Sequence, residues 1–162
     1  MSVQSINTAL EKLINVHQTL LNLSQEKTVV LKNGNLDQLQ TLLVQERKQI
    51  QVLQKMETNR VEAVNNWFQN NDAMTEEQTI SNLLEKIKDV SEKEKLTNLT
   101  VALTQVMLEL KQQEQLNQAL VQQSVQFVQL SLDMLSPTLK NMNYGNNQSA
   151  GTTNRSVFDS KA

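Results

Sequence analysis

SEKEKLTNLTVALTQVMLELKQQEQLNQALVQQSVQFVQLSLDMLS, residues 91–136, holds neither Gly nor Pro, and its reading decides the fold. Ser91-Glu92-Lys93-Glu94 has the form of a capping box: the Ser91 hydroxyl can accept the amide three residues on, while Glu94 reaches back to the Ser91 N–H. Pro137 marks the far end, because the residue before a proline is pushed out of the α region. Between these marks Leu96, Leu99, Leu103, Val106 and Leu110 step by three and four. The same register continues through Gln113, Asn117, Leu120, Ser124, Phe127, Ser131 and Met134. About six heptads of this kind predict one helix over 92–136 with a coiled-coil-like seam. At 1.5 Å per residue it is roughly 65 Å long.

The second half of this helix carries more apolar surface than one seam uses. Val121, Val125, Val128, Leu132 and Leu135 form a further stripe at the same spacing, about 100° around the helix from the first. Either two neighbouring helices bury this wide face, or it docks a helix of another chain. The choice depends on whether the remaining chain can cover it.

Working back from there, residues 3–32 place Val3, Ile6, Leu10, Leu13, His17, Leu20, Ser24 and Leu31 in a heptad register, flanked by Ile14 and Leu21, and read as an amphipathic helix. Asn33-Gly34 stops it, since Gly takes the left-handed conformation without a Cβ penalty. Asn35 is the expected N-cap of a second helix, 36–70, with Gln38 at N3. So short a connection makes the two helices antiparallel. The second carries Leu36, Leu39, Leu43, Ile50, Leu53, Val64 and Trp67 on its seam, with Leu42 and Met56 alongside. Glu46, Glu57 and Arg60 interrupt that seam, as polar residues that fix alignment do. Thr75-Glu76-Glu77-Gln78 reads as a capping box for a short helix, 76–89, with Ile80, Leu83, Leu84 and Ile87 on one side.

The expected architecture is therefore all-α: an elongated antiparallel helical bundle over 1–137, with two helices of ~30–35 residues, a short one and one of ~45. The first pair reaches roughly 45–52 Å, so the long helix overhangs it at the end with two apolar stripes. Residues 138–162 are polar, with Gly and Ser and no helical stripe, and read as a flexible tail.

Composition agrees with long helices: 162 residues hold only 3 Gly and 1 Pro. Aromatics are 3%, so the core is aliphatic. A net charge of −2 gives no basic face for nucleic acid. Without cysteine there is no disulfide framework and no thiolate metal site, as suits a cytosolic chain. No signal-peptide pattern opens the sequence and no apolar run spans a membrane. The lone His17 lies on a seam without a nucleophile beside it, and no Glu-x-x-His, G-x-G-x-x-G or P-loop occurs, so neither an enzyme nor a cofactor is expected.

The Asn33-Gly34-Asn35-Leu36 break, Glu46 and Arg60 of the second helix, and Leu132-Asp133-Met134-Leu135 together resemble the FlgN family of flagellar type III export chaperones. The terminal Arg155-Ser156-Val157-Phe158-Asp159-Ser160-Lys161-Ala162 is similar to the tail of Gram-positive members. The resemblance covers essentially the whole chain. It implies a helical bundle in the bacterial cytoplasm that binds C-terminal helical segments of the hook–filament junction proteins FlgK and FlgL. Such a protein prevents their early assembly and brings them to the export gate, whose component FlhA is the implied receptor.

Two sites follow as expectations. Leu120, Val121, Val125, Phe127, Val128, Leu132 and Leu135 form the client-binding surface. Tyr144 and Phe158, aromatics isolated in a polar segment, are the tail's docking residues. The competing reading is a structural coiled-coil subunit, a homodimer or scaffold joined through the same wide stripe.

Overall fold

Val3, Ile6 and Leu10, one turn apart at the start of the chain, are almost fully buried, and the core begins with them. In a computed structural model of the chain, residues 3–71 and 77–145 are described, with side chains as far as 136. The helices run α1 Gln4–Asn33, α2 Leu36–Asn70, α3 Ile80–Lys86 and α4 Val90–Gly145, with no strand among the described residues. The all-α expectation holds. The chain divides into two units, Met1–Val121 and Gln122–Ala162, and α4 runs from the first into the second.

Within the first unit α1 and α2 form the hairpin that Asn33-Gly34-Asn35 predicts. Gly34 sits at φ +68, and its N–H donates to the Val30 carbonyl. The Asn35 side chain accepts from the Gln38 amide at 3.1 Å, capping α2. α4 runs parallel to α1, because the sequence separation between bonded partners hardly changes along their length. It is 84 between Glu11 and Lys95 and 93 between Ser24 and Asn117.

The base of this unit is a compact apolar cluster. Val3, Ile6 and Leu10 of α1 meet Val64, Trp67 and Phe68 of α2, Leu83 of α3, and Ile87 and Leu96. Trp67 and Phe68 pack edge to face, with ring centroids 5.3 Å apart. Asn7 Oδ1 and Trp67 Nε1 are buried without a hydrogen-bond partner, which subtracts from what the cluster gains.

Several expectations are corrected. The cap of the long helix is Asp89, whose Oδ1 accepts the Glu92 amide at 2.9 Å, while Ser91 lies in the first turn. A carboxylate at a helix N-terminus also meets the positive end of the dipole, an advantage a serine lacks. α3 begins at Ile80 with Thr79 as its cap; Thr75 and Glu76 lie outside the described residues. The Asn82 amide group donates to the Glu77 carbonyl and ties the preceding stretch in a non-helical form. Ile87 ends α3 in an extended conformation that drops its side chain into the base cluster.

Pro137 does not end α4, which continues to Gly145. Proline bars neither the helix nor its predecessor. It leaves the Asp133 carbonyl without its intrahelical donor and costs about 3 kcal/mol in a helix interior. Residues 138–145, expected in the tail, are therefore helical, and residues from 146 onward lie outside the described part. On α2, Leu36, Leu43 and Ile50 are exposed despite their heptad positions, while Leu42 and Phe68 are buried. A straight helix turns 3.6 residues, so a strict 3.5 register slides off the contact face over 35 residues.

Candidate docking surface

The α4 seam is buried or half-buried at Leu96, Leu99, Leu103, Val106, Leu110, Gln113 and Asn117, and its burial ends near Leu120. Beyond it lies the surplus apolar face. Leu120 is half-buried, whereas Val121 is 45% exposed, Val125 51%, Phe127 70%, Val128 55%, Leu132 61% and Leu135 56%. Val121, Val125, Val128, Leu132 and Leu135 share one side of the helix at steps of four and three; Phe127 and Met134 stand beside them. Ser131 donates to the Phe127 carbonyl at 2.9 Å, so its hydroxyl proton is satisfied within the helix. From Gln115 to Ser136 the sole charged residue is Asp133. This is a contiguous apolar strip in water, with glutamines and almost no charge around it. Such a strip gains by covering, and nothing in it directs ions or chemistry.

Just before the strip, the three long helices meet in a polar layer. Ser24, Lys27 and Thr28 of α1 are buried, and so is Asn117 of α4. Lys27 Nζ donates to Glu46 Oε1 of α2 at 2.6 Å and lies 3.0 Å from each oxygen of Glu114 of α4. Ser24 Oγ donates to Glu114, and the Asn117 amide donates to the Ser24 carbonyl at 2.9 Å. Thr28 Oγ1 bonds Asn117 Oδ1 and accepts from Gln113 Nε2. Polar side chains at seam positions weaken a coiled coil while fixing its alignment. Here they hold α4 against α1 and α2 at one register.

Burial alone pushes the Lys27 ammonium down, but hydrogen bonds from Glu46 and Glu114, with their charges, leave it above its ordinary value. For Glu114 burial pushes the carboxyl up, and the bonds from Ser24 and Lys27, with the Lys27 charge, bring it below the ordinary range. A raised lysine stabilises fully below 10.5 and loses that contribution as pH rises through its folded value. A lowered glutamate stabilises fully above 4.5 and loses it as pH falls through its folded value. Lys27→Met keeps the aliphatic stem and removes the ammonium. The expected cost is about 1–3 kcal/mol near neutral pH, with a reduced alkaline loss of stability. Thermal melts from pH 3 to 11 check both; an unchanged profile means the layer is a solvated bystander.

Neither Lys27 nor Glu114 was singled out by the hydrophobic pattern. Lys27 nevertheless falls on the α1 register between Ser24 and Leu31, and the polar positions Lys27, Glu46 and Gln113 interrupt three seams. The partner of Glu46 is thus Lys27. Glu57 and Arg60 pair with each other along α2, Arg60 Nε and Nη2 donating at 2.9 and 2.6 Å. The bond to Arg60 holds the Glu57 carboxyl low. His17 is buried, its Nδ1 donating to the Leu13 carbonyl at 2.8 Å.

Tyr144 lies on the last turn of α4, beyond the described side chains, and Phe158 lies outside the described residues. Among the described residues no group of three or more His, Cys, Asp or Glu is arranged to hold a metal ion. No described helix is long and apolar enough to cross a membrane.

Comparison with known proteins gives the same direction as the residues. The family described as FlgN protein matches residues 1–152. YvyG of Bacillus subtilis (strain 168), an uncharacterised protein, is 36% identical over 165 aligned positions that cover 100% of both chains. No solved structure matches the chain significantly.

Proposed function

The chain belongs to the FlgN family, a family of flagellar export chaperones rather than enzymes, and from that premise we propose that α4 from Leu120 to Leu135 is its client-binding surface. The observation that carries the proposal is the run of exposed apolar side chains from Val121 to Leu135. The clients are the C-terminal helical segments of FlgK and FlgL, bound in the bacterial cytoplasm before export. An amphipathic segment that stays unpaired until it assembles can lay its apolar face on this strip as a helix. Each buried Leu or Val adds roughly 1.5–3 kcal/mol. Several contacts exceed the ordering cost of a disordered segment, about 2–5 kcal/mol, and still leave a complex that releases.

Calorimetry of the full chain with a FlgK or FlgL C-terminal segment tests this directly. A saturable one-to-one complex with a negative heat-capacity change supports it. A protein that light scattering shows as a tight dimer, and that takes up no segment, is instead a homodimeric coiled-coil scaffold.

The tail gives the export step its candidate contact: Tyr144 and Phe158 bind FlhA. Truncation after Lys140 is expected to leave client binding intact and to weaken binding to the FlhA cytoplasmic domain by about tenfold or more, as loss of aromatic anchors does. Equal FlhA binding by both proteins, measured by pull-down or interferometry, sinks the tail's role.

A further inference from the structure

Part of the polar layer lines an apolar groove. Leu31 of α1, Leu39 and Leu43 of α2 and Val121 of α4 form its walls, Lys27 and Glu114 line it as well, and its volume is about 340 Å³. Each helix offers residues one turn apart, Lys27 with Leu31, Leu39 with Leu43, and Glu114 with Val121 two turns on. Such a set makes a hole for the knobs of an incoming helix. Leu43 and Val121 are each more than two-fifths exposed, so the walls face water.

The charge in this groove is uneven. One ammonium is shared between two carboxylates, since Lys27 bonds both Glu46 and Glu114. Glu46 is mostly covered, at 18% of its side-chain surface, whereas the Glu114 side chain stays 41% exposed. The Glu114 carboxylate is held by Ser24 and Lys27 and also meets Glu46. A part-exposed carboxylate, one of two that share a single ammonium, beside apolar walls fits a cation held on a short apolar surface. The strip beyond Val121 has no counterpart to it, having no charge before Asp133.

We propose that this groove is a specificity subsite for the bound helix, and that it takes an amphipathic segment carrying a lysine or arginine among its apolar residues. The inference rests on the client-binding reading above and adds what distinguishes one client from another. The apolar strip supplies contact that any amphipathic helix can use; the Glu114 carboxylate selects by charge. Val121 belongs to both, as a wall of the groove and the first residue of the strip.

The test uses the full chain and two synthetic amphipathic peptides of about 20 residues with leucines at heptad positions, identical except for one central Lys replaced by Gln. Fluorescence anisotropy is read at 50 and 300 mM NaCl. The Lys peptide is expected to bind about tenfold more tightly at low salt, with the advantage shrinking at high salt. Glu114→Gln keeps an acceptor for Ser24 and should bring the two peptides to equal affinity while both still bind. A Lys-to-Glu peptide, which needs no protein variant, should bind more weakly than the Gln peptide. Equal binding of Lys and Gln peptides by the wild-type chain, or a preference that survives Glu114→Gln, overturns the subsite and leaves the client-binding reading standing. If the chain binds neither peptide, both fail. A dimer in light scattering that Glu114→Gln dissociates would show the groove occupied by a second copy, which also overturns the inference.

Discussion

A chain carrying Val125→Asp and Val128→Asp is expected to lose client binding by about two to four orders of magnitude and to keep its melting temperature. Both side chains are more than half exposed in the protein alone. In the isolated molecule the changes therefore remove little burial, and Val and Asp have similar helix propensities. The expected stability change is within about 0.5 kcal/mol per site, as for other surface substitutions. In the proposed complex the same positions would be covered. Each loses roughly 1.5–3 kcal/mol of apolar burial and brings a carboxylate that must be desolvated or excluded. Together that is about 3–6 kcal/mol, which converts to the stated loss of affinity. Calorimetry for binding and a thermal melt for stability decide the matter. Binding lost together with a large fall in melting temperature would mean that these valines are already packed in the free protein, as in a homodimer, and that the strip is core.

Helix α1 and the hairpin were legible in the sequence because their signals are local. Gly34 at positive φ, Asn35 as cap and the heptad from Val3 to Ser24 each depend on near neighbours, and each appears in place. The long helix was legible along its body and misread at both ends. Asp89 competes with Ser91 for the same job two residues away, and Pro137 raises the cost of a helix without ending it. Phe68 was missed on α2 because it stands beside Trp67 rather than on the heptad, and only packing against α3 reveals that face as inner. The polar layer was half legible. Asn117 and Glu46 stood out as seam polars, but which charge meets which depends on the register between helices, set by contacts some 90 residues apart. The apolar strip could be counted from spacing, and its exposure follows only once the other helices are placed.

The last expectation sets two phenylalanines against each other, identical in chemistry and opposite in placement. Phe68 is fully buried, edge to face with Trp67, in the base cluster to which residues of α1, α2, α3 and α4 contribute. Phe127 is 70% exposed on α4. Phe68→Ala opens a cavity that the Trp67 ring and Leu83 fill only in part, and costs about 3–5 kcal/mol. For a chain of this size that lowers the melting temperature by roughly 6–20 °C. Phe127→Ala leaves no cavity in the free protein and should move stability by no more than about 0.5 kcal/mol, while weakening client binding by about tenfold or more if it anchors the bound helix. Denaturant melts and client titrations on both variants separate the roles. At a temperature where the Phe68 variant is folded, its client affinity should match that of the parent chain, because the base cluster lies within the first unit and the strip begins at its boundary. Comparable losses of stability in the two variants would show that Phe127 is packed as Phe68 is, and would remove the distinction between core and docking surface on which the functional reading depends.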